Sequence, residues 1–364
     1  MSFERTSINI ELGEMHSQFI ARVIDTSNVR TAVINKNGTV LNAVKEKGKR
    51  ELYFFTSNEE ENDDQQASNE KLIIDLPESV INNLVNSTIL QMIHRALYRD
   101  AYPFPTERTT MVSLPLISLP PSETESDNAP SPLVANSVRT TRKPMSAIIG
   151  KFISMIFTAR QSSVVRRKVQ GEKTPDIKRY MQLADIIEQK ILGGSVVFSK
   201  KTPETERDVL FRTSKKVTIE LPVASSMIKE LSPLVLYLRF IARPNDFVII
   251  DEPEMNLHPE AQVKLTEVLS MMAQAKLKVL ITTHSPYVVD HLTNLIKASK
   301  TTNLKKAASQ FFLKDQTAFI ERRLVSVYLF ENATAENILQ EDGLVNWETF
   351  GSISSRVSQI FFDI

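Results

Sequence analysis

A chain of 364 residues with 42% hydrophobic and 24% charged side chains can build one large domain or two ordinary ones, and it excludes disordered, collagen-like and wholly coiled-coil classes. Lys and Arg number 44 against 43 Asp and Glu, a net charge of +1, so no global field draws it to nucleic acid or anionic membrane and any basic surface must be local. With no cysteine, disulfides, thiolate zinc sites and cysteine nucleophiles are excluded, and a reducing cytoplasm fits; the polar start MSFERTSINI and the lack of any apolar run of about eighteen residues argue against a signal peptide or a membrane span.

From residue 6 to about 55, the short alternating stretches TSINIEL, QFIARVID, TAVINKNGTVLNAV and ELYFF are broken by Gly13, Asn37-Gly38 and Gly48, which predicts an antiparallel β-meander with a hairpin at Asn37-Gly38. SNEEENDDQQASNE at 57–70 has no large apolar residue and concentrated negative charge. It is expected to be a solvated, mobile loop. Residues 77–102 open with Pro77 and carry apolar residues three and four apart, which predicts an amphipathic helix. Residues 119–144 are rich in Pro and Ser, a linker composition.

MSAIIGKFISMIF at 145–157 and DIKRYMQLADIIEQKILGG at 176–194 read as helices, the second stopped by its Gly-Gly. RQSSVVRRKVQGEK between them is the clearest basic cluster, read either as a solvated helix face or as a contact to a phosphate backbone. Strands resume at GSVVFSKK and VLFRTSKKVTIELPV. From 230 to 300 the pattern is helix, buried strand, helix, buried strand, helix, which implies a parallel sheet covered by helices. Residues 325–364 predict a strand, a turn, a second strand and a helix after Trp347, closing the edge of the sheet.

The chemistry concentrates in FVIIDEPEMNLHPEAQ at 247–262. Phe247 to Ile250 form a short apolar run, the mark of a strand buried on both faces, and Asp251 and Glu252 follow at its C-terminal end. Acids at that edge face the ligand crevice of an α/β sheet. Such a pair can hold Mg²⁺ through its water shell and orient the water that attacks a γ-phosphate. Pro259 and Glu260 open the next helix. In KVLITTHSPYVVDHL at 278–292, Val279 to Ile281 predict another buried strand, with His284 just past its polar end. Taken singly, an apolar-Asp-Glu string reads as a strand end, and His284 as a structural histidine. Two parallel strands would bring Asp251, Glu252 and His284 to one crevice.

VIIDEPEMNLHPEAQ followed by ITTHSPYVVDHL resembles the C-terminal part of an ABC-type AAA ATPase head, in the branch that includes anti-phage AAA ATPases, overcoming-lysogenization-defect nucleases and RecF-like recombination proteins. The resemblance implies that 247–252 is the Walker B strand, with Asp251 the magnesium carboxylate and Glu252 the catalytic base. It makes Asn256, Leu257 and His258 the D-loop and His284 the switch histidine. ELPVASSMIKELSPLVLYLRFIARPND at 220–246 falls at the family's signature helix, which implies nucleotide contacts from Ser225 and Ser226. YPFPTER at 102–108 resembles a family strand ending in a proline-acid-arginine stretch. The implied cofactors are ATP and Mg²⁺. The implied partners are a second copy in a homodimer, a separate nuclease or other effector, and DNA, with no membrane.

Two departures stand out. The signature turn reads Ser225-Ser226-Met227 where the branch usually has Ser-Ser-Gly, and methionine resists the positive φ of an amide nest. No G-x-x-x-x-G-K-[ST] occurs in the 364 residues, so ATP affinity is expected to be poor, as for a head without its N-terminal Walker A unit. The expected fold is an α/β ABC-ATPase-like head with a mostly parallel sheet, an N-terminal antiparallel β-meander and a helical insertion. Its expected division is a β-subdomain over 1–56, an acidic loop over 57–70, a helix and strand of the head over 71–118, a linker over 119–144, a helical insertion over 145–194, the Walker B and switch-histidine core over 195–300, and C-terminal strands and helix over 301–364. The expected function is ATP hydrolysis in a dimer that controls an effector in nucleic-acid-linked or anti-phage defence. The alternatives are a non-hydrolysing pseudo-ATPase scaffold for protein or DNA and a metal-dependent nuclease. Leu257 is expected to be exposed on a self-association face with Asn256, His258, Ser225 and Ser226, the alternative being that it packs under the helix from Pro259.

Overall fold

The computed structural model describes residues 6–9, 24–25, 28–34, 39–49, 51–58, 78–113, 146–161, 174–199, 208–331, 333–346, 356 and 359–360. The chain divides into two units, Met1–Asp100 and Ala101–Ile364.

In the first unit the expected meander forms a four-stranded antiparallel sheet of β1 (Thr6–Asn9), β2 (Val29–Ile34), β3 (Thr39–Lys45) and β4 (Glu51–Asn58), in the order β1-β4-β3-β2. Val29, Ala43 and Val44 are buried, as are Met92 and Ala96 of helix α1 (Glu78–Leu97). Lys45 is buried too; its Nζ donates to the carbonyls of Ile24 and Glu46, and burial pushes the ammonium below its ordinary range. Ile24 and Asp25 lie in a helical turn, not a strand. The rest of QFIARVID, the Asn37-Gly38 turn and residues 59–77 of the acidic segment and its flank lie outside the described residues.

The expected helix over 77–102 is corrected at its end. It stops at Leu97, and Ala101–Phe104 form strand β5, followed by the short helix α2 (Arg108–Ser113). Tyr102 and Phe104 each precede a proline, Pro103 and Pro105, and a residue before proline is driven to extended backbone.

The second unit is built on a three-stranded parallel sheet in the order β10-β9-β5, with β9 (Phe247–Asp251) between β5 and β10 (Lys278–Thr282). Val248 and Ile250 of β9 are buried in a core shared with helices α3 (Ala147–Arg160), α4 (Pro175–Ile186), α5 (Ser226–Leu236) and α6 (Pro259–Gln274). Phe104 packs edge-on to Phe152 and Tyr237, with ring centroids 5.8 and 6.0 Å apart. Tyr237 also donates its hydroxyl to Asp246 at 3.0 Å, which fixes the turn that launches β9.

Helix α6 starts where its sequence says. Pro259 stands at the first helical position, His258 caps it, and Glu260 pairs with Lys264 one turn on at 2.7 Å. Helix α7 (Pro286–Ser299) repeats the device with Ser285 as cap and Pro286. A small antiparallel sheet, β6 (Gly194–Phe198), β7 (Val209–Thr213) and β8 (Thr218–Glu220), precedes α5.

Two expectations fail here. β10 is not buried: Leu280 is 49% exposed and the strand alternates between exposed and half-buried residues. Among the described strands it pairs only with β9, so its apolar run marks an edge. The strands β11 (Tyr328–Glu331) and β12 (Thr334–Asn337) do not close the parallel sheet; they pair with each other as a separate hairpin. Most of the segment after Trp347, the 119–144 linker and residues 162–173 of the basic cluster lie outside the described residues. No described helix is long and apolar enough to cross a membrane.

Candidate functional site

Asp251 is the last residue of β9 and lies in register with Thr282, the last residue of β10. Because the strands are parallel, both chain ends leave the sheet at the same edge. Phe104 of β5 is in register with Ile250, so Thr106 arrives at that edge as well. The hydroxyls of Thr106 and Thr282 donate to the two carboxylate oxygens of Asp251, one each. These two bonds hold the carboxyl below its ordinary range against a smaller opposing effect of burial, so Asp251 stands as a fixed anion.

The chain turns sharply after Asp251. Glu252 has φ 46° and Asn256 φ 59°, left-handed values that cost an ordinary residue energy and persist only where the surroundings enforce them. Thr282 enforces one side, accepting from the Glu252 amide at its carbonyl (3.2 Å) and its hydroxyl (3.1 Å). Arg108 enforces the other. Its Nη1 donates to the carbonyl of Asp251 at 2.6 Å and its Nη2 to that of Glu252 at 2.8 Å. The same guanidinium reaches the carbonyl of Pro105 and pairs with the carboxylate of Glu230 in α5. Arg108 is 2% exposed and Glu230 1%. Burial outweighs the attraction of Arg108 and a hydrogen bond from Asn256, and pushes the Glu230 carboxyl up to about 7. Burial likewise lowers Arg108 from its ordinary value.

His284 lies just beyond β10 with its side chain 80% exposed, and its Nε2 is 3.9 Å from Glu252 Oε1, too far for a direct hydrogen bond. Its backbone is held by Glu254, whose Oε1 accepts from the His284 amide (2.7 Å) and the Thr283 hydroxyl (2.8 Å). Glu254 Oε2 is buried and has no hydrogen-bond partner among the described residues. Ser285 donates to Gln262 of α6 at 2.6 Å, tying the histidine loop to the helix behind it. The structure therefore brings Asp251, Glu252 and His284 to one edge.

The other expected residues are more dispersed. Ser225 and Ser226 are exposed at the start of α5, and Met227 is half-buried against the core. Asn256 is exposed at its left-handed turn. His258 is exposed and spends Nδ1 on the Glu260 amide at 3.4 Å. No described hydrogen bond joins Ser225, Ser226 or His258 to the acids. Leu257 corrects the expectation of an exposed residue: it is 7% exposed and belongs to the core with Ala261 and Leu265. The left-handed Asn256 turns the chain inward just before it.

Sequence reasoning singled out the 102–108 stretch but assigned no work to Thr106 or Arg108, and it missed Glu230 and Glu254. The proline-acid-arginine string was the available signal for Arg108. Glu254, three residues after Asp251 in DEPE, had only its nearness to the acids.

A protein-family profile described as "AAA domain, putative AbiEii toxin, Type IV TA system" matches residues 117–290, a segment that contains Ser225, Ser226, Asp251, Glu252 and His284. Those residues are similar to an AAA domain, in keeping with the resemblance to an AAA ATPase head drawn from the motifs. A search of curated proteins gave no match. Among solved structures, the chain is similar to one described under ATP-driven dimerization and DNA stimulated activation of SMC ATPases, at 11% identity and TM-score 0.31, over 52% of this chain and 97% of that one. It is also similar to an SMC head bound to the C-winged helix domain of ScpA, at 11% identity and TM-score 0.34, over 72% of this chain and 68% of that one.

Proposed function

We propose that this chain, with an AAA domain over 117–290, works as an ABC-type ATPase head that engages Mg²⁺ and ATP through Asp251, Glu252 and His284. As a homodimer it would control a partner effector, a separate nuclease or another protein, in nucleic-acid-linked or anti-phage defence. The observation that carries the reading is the single edge at which the anionic Asp251, the strained Glu252 and the exposed His284 meet.

The residues fit the cofactor on the water side. Asp251 is kept ionised by two hydroxyls, which suits a carboxylate that holds a divalent cation through its water shell. Among the described residues no group of three or more His, Asp or Glu forms a cage, so phosphate oxygens and water would supply the remaining ligands. Bound Mg²⁺ supplies charge neutralisation at the phosphates. Glu252, 32% exposed, can accept a proton from an attacking water. His284, 3.9 Å from it, is free to meet a phosphate oxygen or that water. Ser225 and Ser226 at the α5 N-terminus offer amides and a favourable dipole to a phosphate of the opposing copy.

Met227 at the signature turn favours a second reading, in which the fold serves as a non-hydrolysing scaffold, since a side chain there obstructs an amide nest. Electron paramagnetic resonance of Mn²⁺ with the full chain and millimolar ATP separates the two. The ATPase reading expects Mn²⁺ to be immobilised by wild-type protein and released in Asp251→Asn. No immobilisation, or immobilisation indifferent to Asp251→Asn, leaves the scaffold.

A further inference from the structure

The least expected feature of the second unit is a guanidinium almost wholly withdrawn from solvent. Arg108 spends its donors on three backbone carbonyls and one carboxylate, and two of those carbonyls belong to Asp251 and Glu252. A planar fork that grips consecutive carbonyls fixes the plane of the peptide between them, which a point charge cannot do. That peptide enters the left-handed residue Glu252, so the fork sets the direction in which the Glu252 side chain leaves the sheet. The carboxylate partner, Glu230, is the fifth residue of α5. Asn256, the second left-handed residue of the turn, offsets part of the effect of burial on the same carboxyl. One buried pair thus touches the end of β9, the turn after it and the helix that starts at Ser226.

We propose that Arg108 and Glu230 are positioning residues that hold the Asp251–Glu252 peptide in its left-handed turn and couple it to helix α5, so that a displacement of the helix start at Ser225–Ser226 reorients Glu252. The proposal rests on the reading of Glu252 as the water-activating carboxylate, but the coupling itself exists without nucleotide. A rigid helix carries motion at its first turn to its fifth residue, and a desolvated pair with no slack passes it on. Thr282 holds the opposite side of the same peptide, so movement of Arg108 rotates it about a fixed point.

The test is hydrogen–deuterium exchange on the full chain without ligand, read in peptides covering 252–257 and 226–232. Arg108→Met, Arg108→Lys and Glu230→Gln are compared with Glu267→Gln, which alters a buried carboxylate that instead holds His291 and the amides of Phe312 and Leu313. Arg108→Lys restores the charge lost in Arg108→Met and should recover most of the melting temperature. It cannot grip both carbonyls, so exchange at 252–257 should remain at least about tenfold faster than wild type. Glu230→Gln should raise exchange at 252–257, and Arg108→Lys at 226–232, while Glu267→Gln leaves both segments unchanged. Lysine restoring protection at 252–257 along with stability would reduce Arg108 to a buried counter-charge. Unchanged exchange at 252–257 in Glu230→Gln would sink the coupling while leaving the metal reading intact, which the Mn²⁺ measurement judges separately.

Discussion

Glu230 carries a carboxyl group to a place where water scarcely reaches it, 1% exposed and against the guanidinium of Arg108. Ionising such a group costs desolvation free energy that a partner returns only in part, and its pKa is accordingly pushed up to about 7 from 4.5. The consequence for stability has a definite sign. In the unfolded chain the carboxyl gives up its proton near 4.5, and in the folded chain only near 7. Between those values the unfolded state binds fewer protons, so this group's contribution to stability falls as pH rises and is constant above the interval. The melting temperature of wild type minus that of Glu230→Gln should therefore decline from pH 5 to pH 8, as followed by circular dichroism. A difference that is flat over that range, or that grows with pH, would show Glu230 to be ionised throughout. Asp251 lies at the opposite extreme, kept anionic by the hydroxyls of Thr106 and Thr282. Of the two carboxyls, Glu230 pairs with the Arg108 guanidinium, whereas Asp251 meets Arg108 only through its backbone carbonyl and keeps its carboxylate for the two hydroxyls at the sheet edge.

At the scale of elements, the turn between β9 and α6 decides what the site can present. It packs two left-handed residues, Glu252 and Asn256, between a strand and a helix, and the same reversal that exposes Asn256 and His258 drives Leu257 into the core beside Ala261 and Leu265. Leu257→Ala should accordingly lower stability by about 2–5 kcal/mol, the usual cost of emptying a buried leucine site, as measured by urea unfolding of the full chain. An unchanged midpoint would return Leu257 to the surface. This is also where legibility in the sequence ended. The strand Phe247–Asp251, the proline that opens α6 and the acids at the sheet edge were readable because each is set by neighbours a few residues away. Leu257 was misjudged because the φ values before it belong to residues whose type does not demand them. β10 was misjudged because an apolar run does not say which of its faces another element covers. Arg108 was unreadable for a stronger reason: its carbonyl partners lie 143 and 144 residues away in sequence, and no local pattern encodes them.

At the scale of the whole molecule the question is whether this chain alone can turn over ATP. Hydrolysis needs the water positioned, the cation held and the triphosphate cradled, and the three tasks fall to different groups. In the proposed reading, Asp251, Glu252 and His284 would answer the first two. For the third, the 364 residues contain no G-x-x-x-x-G-K-[ST], and the buried arginine at the edge is committed to carbonyls. Among the described residues the start of α5 at Ser225 and Ser226 also offers amides to a phosphate, but by the resemblance to an ABC-type head it would serve the opposing copy's nucleotide, and Met227 follows it. A triphosphate carries close to four negative charges, and a dipole of about half a charge at one helix end cannot replace a nest of amides and a lysine. The purified chain should thus release inorganic phosphate from Mg²⁺-ATP at the rate of buffer alone, and Glu252→Gln should not change that rate. Phosphate release above background that Glu252→Gln abolishes would mean that residues outside the described set cradle the nucleotide. Release that Glu252→Gln leaves intact would point to a contaminating enzyme and leave the expectation standing.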